Sequence, residues 1–201
     1  MSKDFWNERY KEEEFAYGEE PNDFLREVAG HIPKSGKVLC LAEGQGRNAV
    51  WLAQEGHDVL AVDQAEAGLE RAKELAQSRG VTISTQVADL FEWKPPEDSF
   101  DAVVAIFAHL PAPKRAQMHL WAAQALKPGG VAIVELYSPR QLEYKTGGPP
   151  VVELLVETED LRREFESLEI MHLKERVRDI QEGAYHRGKS AVVQLLAKRA
   201  T

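Results

Sequence analysis

Residues 37–53 read "KVLCLAEGQGRNAVWLA", an apolar run that halts at Gly44-x-Gly46 and resumes at once as an amphipathic pattern. No other stretch restricts the fold so tightly, because a strand entering a helix through such a turn is one unit of an alternating α/β chain. The alternation continues. Strands are expected over 37–42, 58–62, 81–87, 100–107 and 130–137, with helices over 47–55, 65–79 and 113–126. The strands are continuous runs of Val, Ile, Leu and Ala with no polar face, as in a parallel sheet covered on both sides. Lys127-Pro128-Gly129-Gly130 closes the third of these helices and turns the chain into the next strand. Residues 4–31 read as helical and polar, broken at Tyr17–Pro21. Beyond the fifth strand come Thr146-Gly147-Gly148-Pro149-Pro150, a helix from Glu159 to Phe165, and strands over 170–180 and 190–198. Only "QEGAYHRGK" separates those last two, so they pair antiparallel. A chain of 201 residues is expected to form one domain: a helical cap (1–34), a ligand-binding core (35–137), and a lid loop, helix and hairpin (138–201).

Charge and cysteine usage exclude several roles. With 25 basic and 33 acidic residues the net charge is −8, which offers no counterion-release attraction to DNA or RNA. The opening "MSKDFWNERYKEEEF" carries no apolar signal segment, and no run approaches the ~20 apolar residues of a membrane span. Cys40 is the sole cysteine, so an internal disulfide and a multi-cysteine metal site are excluded and no metal is expected. Inside an apolar strand Cys40 acts as a small hydrophobe. A cytoplasmic protein, monomeric or weakly dimeric, is expected.

The turn suggests its ligand. Gly44 and Gly46 leave room for a ligand against the main chain, and the helix beginning near Arg47 aims unpaired N–H groups at the same place. Asp63 ends the second strand, about twenty residues past the first glycine, where a carboxylate either accepts ribose hydroxyls or caps the helix beginning near Ala65. Asp89 ends the third strand on the same rim; Gln64, Leu90 and Phe107 stand beside these strand ends and complete the expected ligand contacts. Glu43 discriminates between ligands. A pyrophosphate ~4–5 Å from it would be opposed by several kcal/mol at an effective dielectric of ~20. An ammonium or sulfonium would be attracted, and S-adenosylmethionine carries both along with a ribose and an adenine. Otherwise Glu43 is a solvated cap of the turn.

At this point the chain resembles the class I S-adenosylmethionine-dependent methyltransferases, through "VLCLAEGQGRN", "VLAVDQ", "VADLFEW", "FDAVVAIFAHLP" and "LKPGGVAIVELY". The resemblance implies a Rossmann-like seven-stranded sheet of order 3-2-1-4-5-7-6 with strand 7 antiparallel. It implies Gly44 and Gly46 at the methionine portion, Asp63 at the ribose and Asp89 at the adenine amino group. Two departures stand out: the family commonly has an acid where Cys40 stands, and Gly-Cys-Gly in place of Ala42-Glu43-Gly44. Within that family "FWNERYKEEEFAYGEEPNDFL", "EYKTGGPP" and "EGAYHRGKSAVVQLLAKR" resemble the small tellurite-resistance-type methyltransferases, with thiopurine methyltransferases as more distant kin. That branch implies a small-molecule acceptor such as a thiol or a selenium or tellurium oxyanion.

Methyl transfer is an in-line displacement on a sulfonium, so it needs alignment and a dry site. His109, after the fourth strand in "FAHLP", is a candidate proton acceptor or an ordinary helix-start histidine. His186 and Arg187 lie beside Tyr185 on the terminal turn, where Arg187 suits an anionic acceptor, or they form a polar hairpin tip. Tyr17 is a candidate lid over the cofactor or an aromatic packed on the sheet, and Gly147-Gly148 is a hinge or a plain loop. "FAHLP" lacks the Asn/Asp-Pro-Pro-aromatic motif of DNA amino-methylating enzymes, which argues against a nucleic-acid substrate. Two competing readings are a non-catalytic S-adenosylmethionine-binding protein and a nicotinamide-dependent oxidoreductase using Gly-x-Gly-x-x-Ala.

Overall fold

The computed structural model describes residues 2–11 and 14–201. The expected N-terminal helical stretch resolves into α1 (Lys3–Tyr10) and α2 (Asp23–Val28); its portion at 12–13 lies outside the described residues. Each has a side-chain N-cap: Ser2 Oγ accepts from Phe5 N at 3.3 Å, and Asn22 Oδ1 from Leu25 N at 3.0 Å. The alternating core follows as β1 (Lys37–Leu41), α3 (Arg47–Gln54), β2 (Asp58–Asp63), α4 (Glu66–Ser78), β3 (Ser84–Val87), β4 (Phe100–Ile106), α5 (Ala112–Ala125) and β5 (Leu126–Tyr137). Then come α6 (Gln141–Tyr144), α7 (Thr158–Glu164), β6 (Glu169–Glu182) and β7 (His186–Lys198). The sheet runs β3-β2-β1-β4-β5-β7-β6, with β1 to β5 mutually parallel and β7 antiparallel to both its neighbours. Among the described residues no helix is long and apolar enough to cross a membrane.

The absence of polar alternation in β1 follows from its two covered faces. Val38 and Cys40 pack with Phe24 of α2, Leu52 of α3 and Leu69 of α4. Leu39 and Leu41 pack with Met118 of α5 and with Leu161 and Phe165 of the α7 region. Positions 38–41 are all interior, so period two carries no polarity there.

Three boundaries differ from expectation, each for a local reason. β3 begins at Ser84 rather than 81, because Val81 N bonds Ala76 O and finishes α4, with Gly80 at φ +70° in the turn. β5 begins at Leu126, and its pairing with β4 shifts register between Phe100 and Ala102, so Gly129-Gly130 is absorbed within the strand. The terminal hairpin is longer than expected: β6 reaches Glu182 and β7 begins at His186, leaving 183–185 as the turn. That shift decides the fate of two candidate site residues.

A buried polar network locks the hairpin to the front of the molecule. Glu135, fully buried on β5, accepts from Asn22 Nδ2 (2.7 Å), Gln194 Nε2 (2.5 Å) and Arg178 Nη2 (2.5 Å). Glu182 accepts from Arg178 Nη2 (3.0 Å), from Asn22 Nδ2 (3.1 Å) and from Arg47 Nη2 (2.6 Å). Asn22 N in turn donates to Asn48 Oδ1 at 2.9 Å. The start of α3 is thereby tied to α2, β5, β6 and β7 at once.

Candidate active site

A cavity of about 340 Å³ opens over the C-terminal ends of β1, β2 and β4, where ligands of open parallel sheets collect. Its floor is the turn from β1 to α3. Ala42 leaves the strand at φ +52°, a left-handed angle for which the family's glycine is suited. Ala42→Gly is expected to stabilise the protein by about 0.5–1 kcal/mol. A denaturant midpoint that falls or stays put would count against that strain.

Glu43 lines the cavity and is buried. Its Oε1 accepts from Asn48 N (3.0 Å) and Ala49 N (2.8 Å), so it satisfies two orphan N–H groups of α3. The Cys40 thiol also bonds it, and burial plus that carboxylate push the thiol's pKa well up. The acid that the resemblance expects at position 40 is thus delivered from position 43. Capping and facing the cavity are one geometry here, not rivals. Burial raises the Glu43 pKa to about 7, against the pull of the Ala49 N–H and the Arg47 charge.

Asp63 combines its two expected roles in the same manner. Oδ1 accepts from Ala65 N at 2.8 Å, at the start of α4, and Oδ2 from Gly44 N at 2.9 Å. Both oxygens retain a lone pair toward the cavity that the residue lines. Burial lifts its pKa to about 6. Asp89, exposed on the rim, turns its own loop by accepting from Phe91 N at 2.9 Å; it lines the cavity with Gln64 and Leu90.

Packing alone requires both glycines of the turn. A Cβ on Gly44 would stand 2.7 Å from Tyr10 Oη, and one on Gly46 would stand 2.5 Å from Ala72 Cβ. Gly46 still lines the cavity and allows α3 to pack on α4. Gly44 does not line it; Tyr10 covers that face, which corrects the expected ligand contact. Tyr10 stacks on Trp6 at 5.5 Å, and α1 thus forms a cavity wall.

The predicted catalytic residues separate. His109 lines the cavity, but Nδ1 lies 3.0 Å from Leu154 O, as a donor, and Nε2 accepts a longer bond from Tyr137 N at 3.5 Å. With both ring nitrogens turned to backbone and burial lowering its pKa to about 4, His109 is poorly placed as a proton acceptor. His186 points inward from the first residue of β7, 4.5 Å from the Tyr17 ring and 4.7 Å from the Phe107 ring. Its Nδ1 is buried with no partner among the described residues, and desolvation holds its pKa well below the usual value. Arg187, the next residue on the strand, faces the opposite way, because successive strand side chains alternate. It is exposed, donates from Nε to Gly183 O at 3.1 Å, and does not line the cavity. The expected acceptor-binding role of Arg187 is corrected accordingly. Arg47 lines the cavity with its charge taken up by Glu182. Phe107 sits at φ +56° after β4 and stacks on Tyr137 at 4.6 Å. Among the described residues no cluster suited to a metal ion is present.

Trp6, Arg9, Tyr10, Gln45 and Asn48 all line the cavity and were not foreseen in the site. Trp6 and Tyr10 sit at i and i+4, the one sequence signal that pairs them on a helix face.

Comparison with known proteins agrees with this geometry. Residues 38–130 match the family model described as "Methyltransferase domain". Methyltransferase GfsG of Streptomyces halstedii is 34% identical over 112 residues, covering 54% of this chain and 38% of GfsG. The chain spans between 38% and 54% of the curated relatives' length at these matches. A solved structure concerning conversion of a disulfide bond into a thioacetal group during echinomycin biosynthesis superposes with a TM-score of 0.79 at 19% identity, covering 98% of this chain and 92% of that one. TehB from Haemophilus influenzae superposes with a TM-score of 0.72 at 19% identity, over 98% of this chain and 66% of TehB. At such identities the likeness is one of fold. Residues 38–130 are therefore similar to a methyltransferase domain, and the whole sheet has the α/β fold of the methyltransferase structures it superposes on.

Proposed function

We propose that the protein transfers the S-adenosylmethionine methyl group to a small-molecule acceptor with a soft nucleophile, such as a thiol or a selenium or tellurium oxyanion. The carrying observation is the cavity itself, which gathers Glu43, Asp63 and Asp89 at three strand ends opposite a wall of Tyr17, Phe107 and His186. The acids suit a cationic nucleoside; the rings suit a sulfonium by cation–π attraction and exclude water. When bound, the donor supplies the electrophilic methyl. This chain's residues then hold the nucleoside, align the acceptor and keep the site dry. His186 is the favoured orienting group, since a neutral imidazole takes a hydrogen bond from the acceptor without placing a second cation near a sulfonium. The tellurite-resistance-type branch fits the N-terminal segment and the terminal hairpin, and a nucleic-acid acceptor fits neither the net charge of −8 nor an inward-facing cavity.

Calorimetry with S-adenosylhomocysteine is expected to give saturable heat, and Asp63→Ala to weaken binding by about 10-fold or more through lost ribose and turn hydrogen bonds. No heat for the parent chain would overturn the reading. A labelled-donor screen over thiols, selenite and tellurite is expected to show turnover, reduced by His186→Ala far more than by His109→Ala. Donor binding without turnover would instead favour a non-catalytic sensor.

A further inference from the structure

Two cations line the cavity, and the fold treats them differently. Arg47 is neutralised by Glu182 at 2.6 Å. Arg9, half-buried on α1, has no carboxylate within ion-pair distance among the described residues. What holds it is neutral. Its Nη1 donates to Tyr17 Oη at 3.1 Å, and its guanidinium lies 4.3 Å from the Tyr185 ring centroid and 4.6 Å from that of Phe5. Ring faces recover part of the hydration such a cation loses, but they leave most of its fork of five donors without an anion. In a chain with 33 acidic residues, a lining arginine set among phenols is a site for an anion from outside.

The aromatic residues continue from Arg9 inward. Tyr185 lies 6.1 Å from Tyr17, Tyr17 4.5 Å from His186, and His186 4.7 Å from Phe107 at the end of β4. His186 Nδ1 adds a buried, unpartnered polar atom to that path. We propose that Arg9 is the anion-recognition residue of the acceptor subsite, and that the acceptor is a small, flat, negatively charged molecule lying along Tyr17, His186 and Phe107. The assignment rests on the methyl-transfer reading, in which the adenosine occupies the Asp63–Asp89 side and leaves this aromatic path to the acceptor.

The test uses the full chain saturated with S-adenosylhomocysteine and two matched probes, benzoate and its neutral counterpart benzamide. Benzoate is expected to bind at least fivefold more tightly than benzamide. Arg9→Gln should abolish that preference and Arg9→Lys should retain part of it, while S-adenosylhomocysteine affinity stays within twofold in both variants. Equal binding of the two probes, binding of neither, or a preference that survives in Arg9→Gln would overturn the proposal. So would a loss in Arg9→Gln that falls on S-adenosylhomocysteine and spares 5′-methylthioadenosine, for Arg9 would then hold the donor's own carboxylate. Failure of the parent chain to bind S-adenosylhomocysteine is a separate result; it removes the methyl-transfer reading and this assignment with it.

Discussion

Glu43→Gln is expected to weaken S-adenosylmethionine binding by about 30-fold, from loss of one carboxylate–cation attraction in a poorly solvated cavity. The amide oxygen can still accept from Asn48 N and Ala49 N, so the cap on α3 survives and the effect isolates the charge. 5′-Methylthioadenosine, which lacks both ammonium and sulfonium, should change by less than about threefold. If both ligands weaken equally, Glu43 acts as a structural cap alone.

The same substitution has a stability signature. Folding raises the Glu43 pKa from 4.5 to about 7, so the fold favours the protonated acid. The associated stability is fully present below pH ~4.5 and is lost as pH rises through about 7, a change of at most about 3 kcal/mol. Asp63 acts in the same direction, between 3.8 and about 6. The ligand-free protein should therefore be less stable at pH 8 than at pH 5, and Glu43→Gln should flatten that decline. A bound cation reverses the preference, so S-adenosylmethionine affinity should climb over the same interval. Thermal melts at the two pH values, with and without donor, measure all three effects.

Arg178→Ala is expected to destabilise the protein by about 3–5 kcal/mol, the range for removing one partner from a buried charge network. Glu135 is wholly buried and would keep only the two amides of Asn22 and Gln194 against its charge. Glu182 would still have Arg47, so Glu135 should account for most of the loss. Arg176 provides the contrast on the same strand. Its pair with Glu27 is long, at 3.8 Å, and both side chains are well exposed, so Arg176→Ala should cost under about 1 kcal/mol. Similar denaturant midpoints for the two variants would mean that the network is not the clasp described above.

What could be read ahead of the structure was local in character. Strand and helix positions followed from short-range apolar patterning, and Glu43, Asp63 and Asp89 followed from strand ends. The strand order and the antiparallel seventh strand came through family resemblance, because spacing alone does not choose among crossovers. The failures were failures of range. Arg187 was misplaced because "QEGAYHRGK" resembles a loop, whereas pairing of Gln181 with Arg187 and Glu182 with His186 extends the hairpin to a short turn. Gly44 was misread because nothing near it in the chain reveals Tyr10 as its cover. His109 looked available because its partners, Leu154 and Tyr137, lie 45 and 28 residues away. Nothing local marks Glu135 as a network centre, its partners being spread from Asn22 to Gln194.

The seam above the cavity bears on how the protein is made. Ala16 O accepts from Ala184 N at 3.1 Å and from Tyr185 N at 3.3 Å, and a Cβ on Gly183 would come within 2.4 Å of Gly18 N. During biosynthesis the donor's bed needs the chain through Phe107, at the end of β4, yet its roof waits until residue 185 has left the ribosome. A nascent chain halted before the hairpin would present that bed open to water, so closure of the pocket reports that synthesis has passed the final turn.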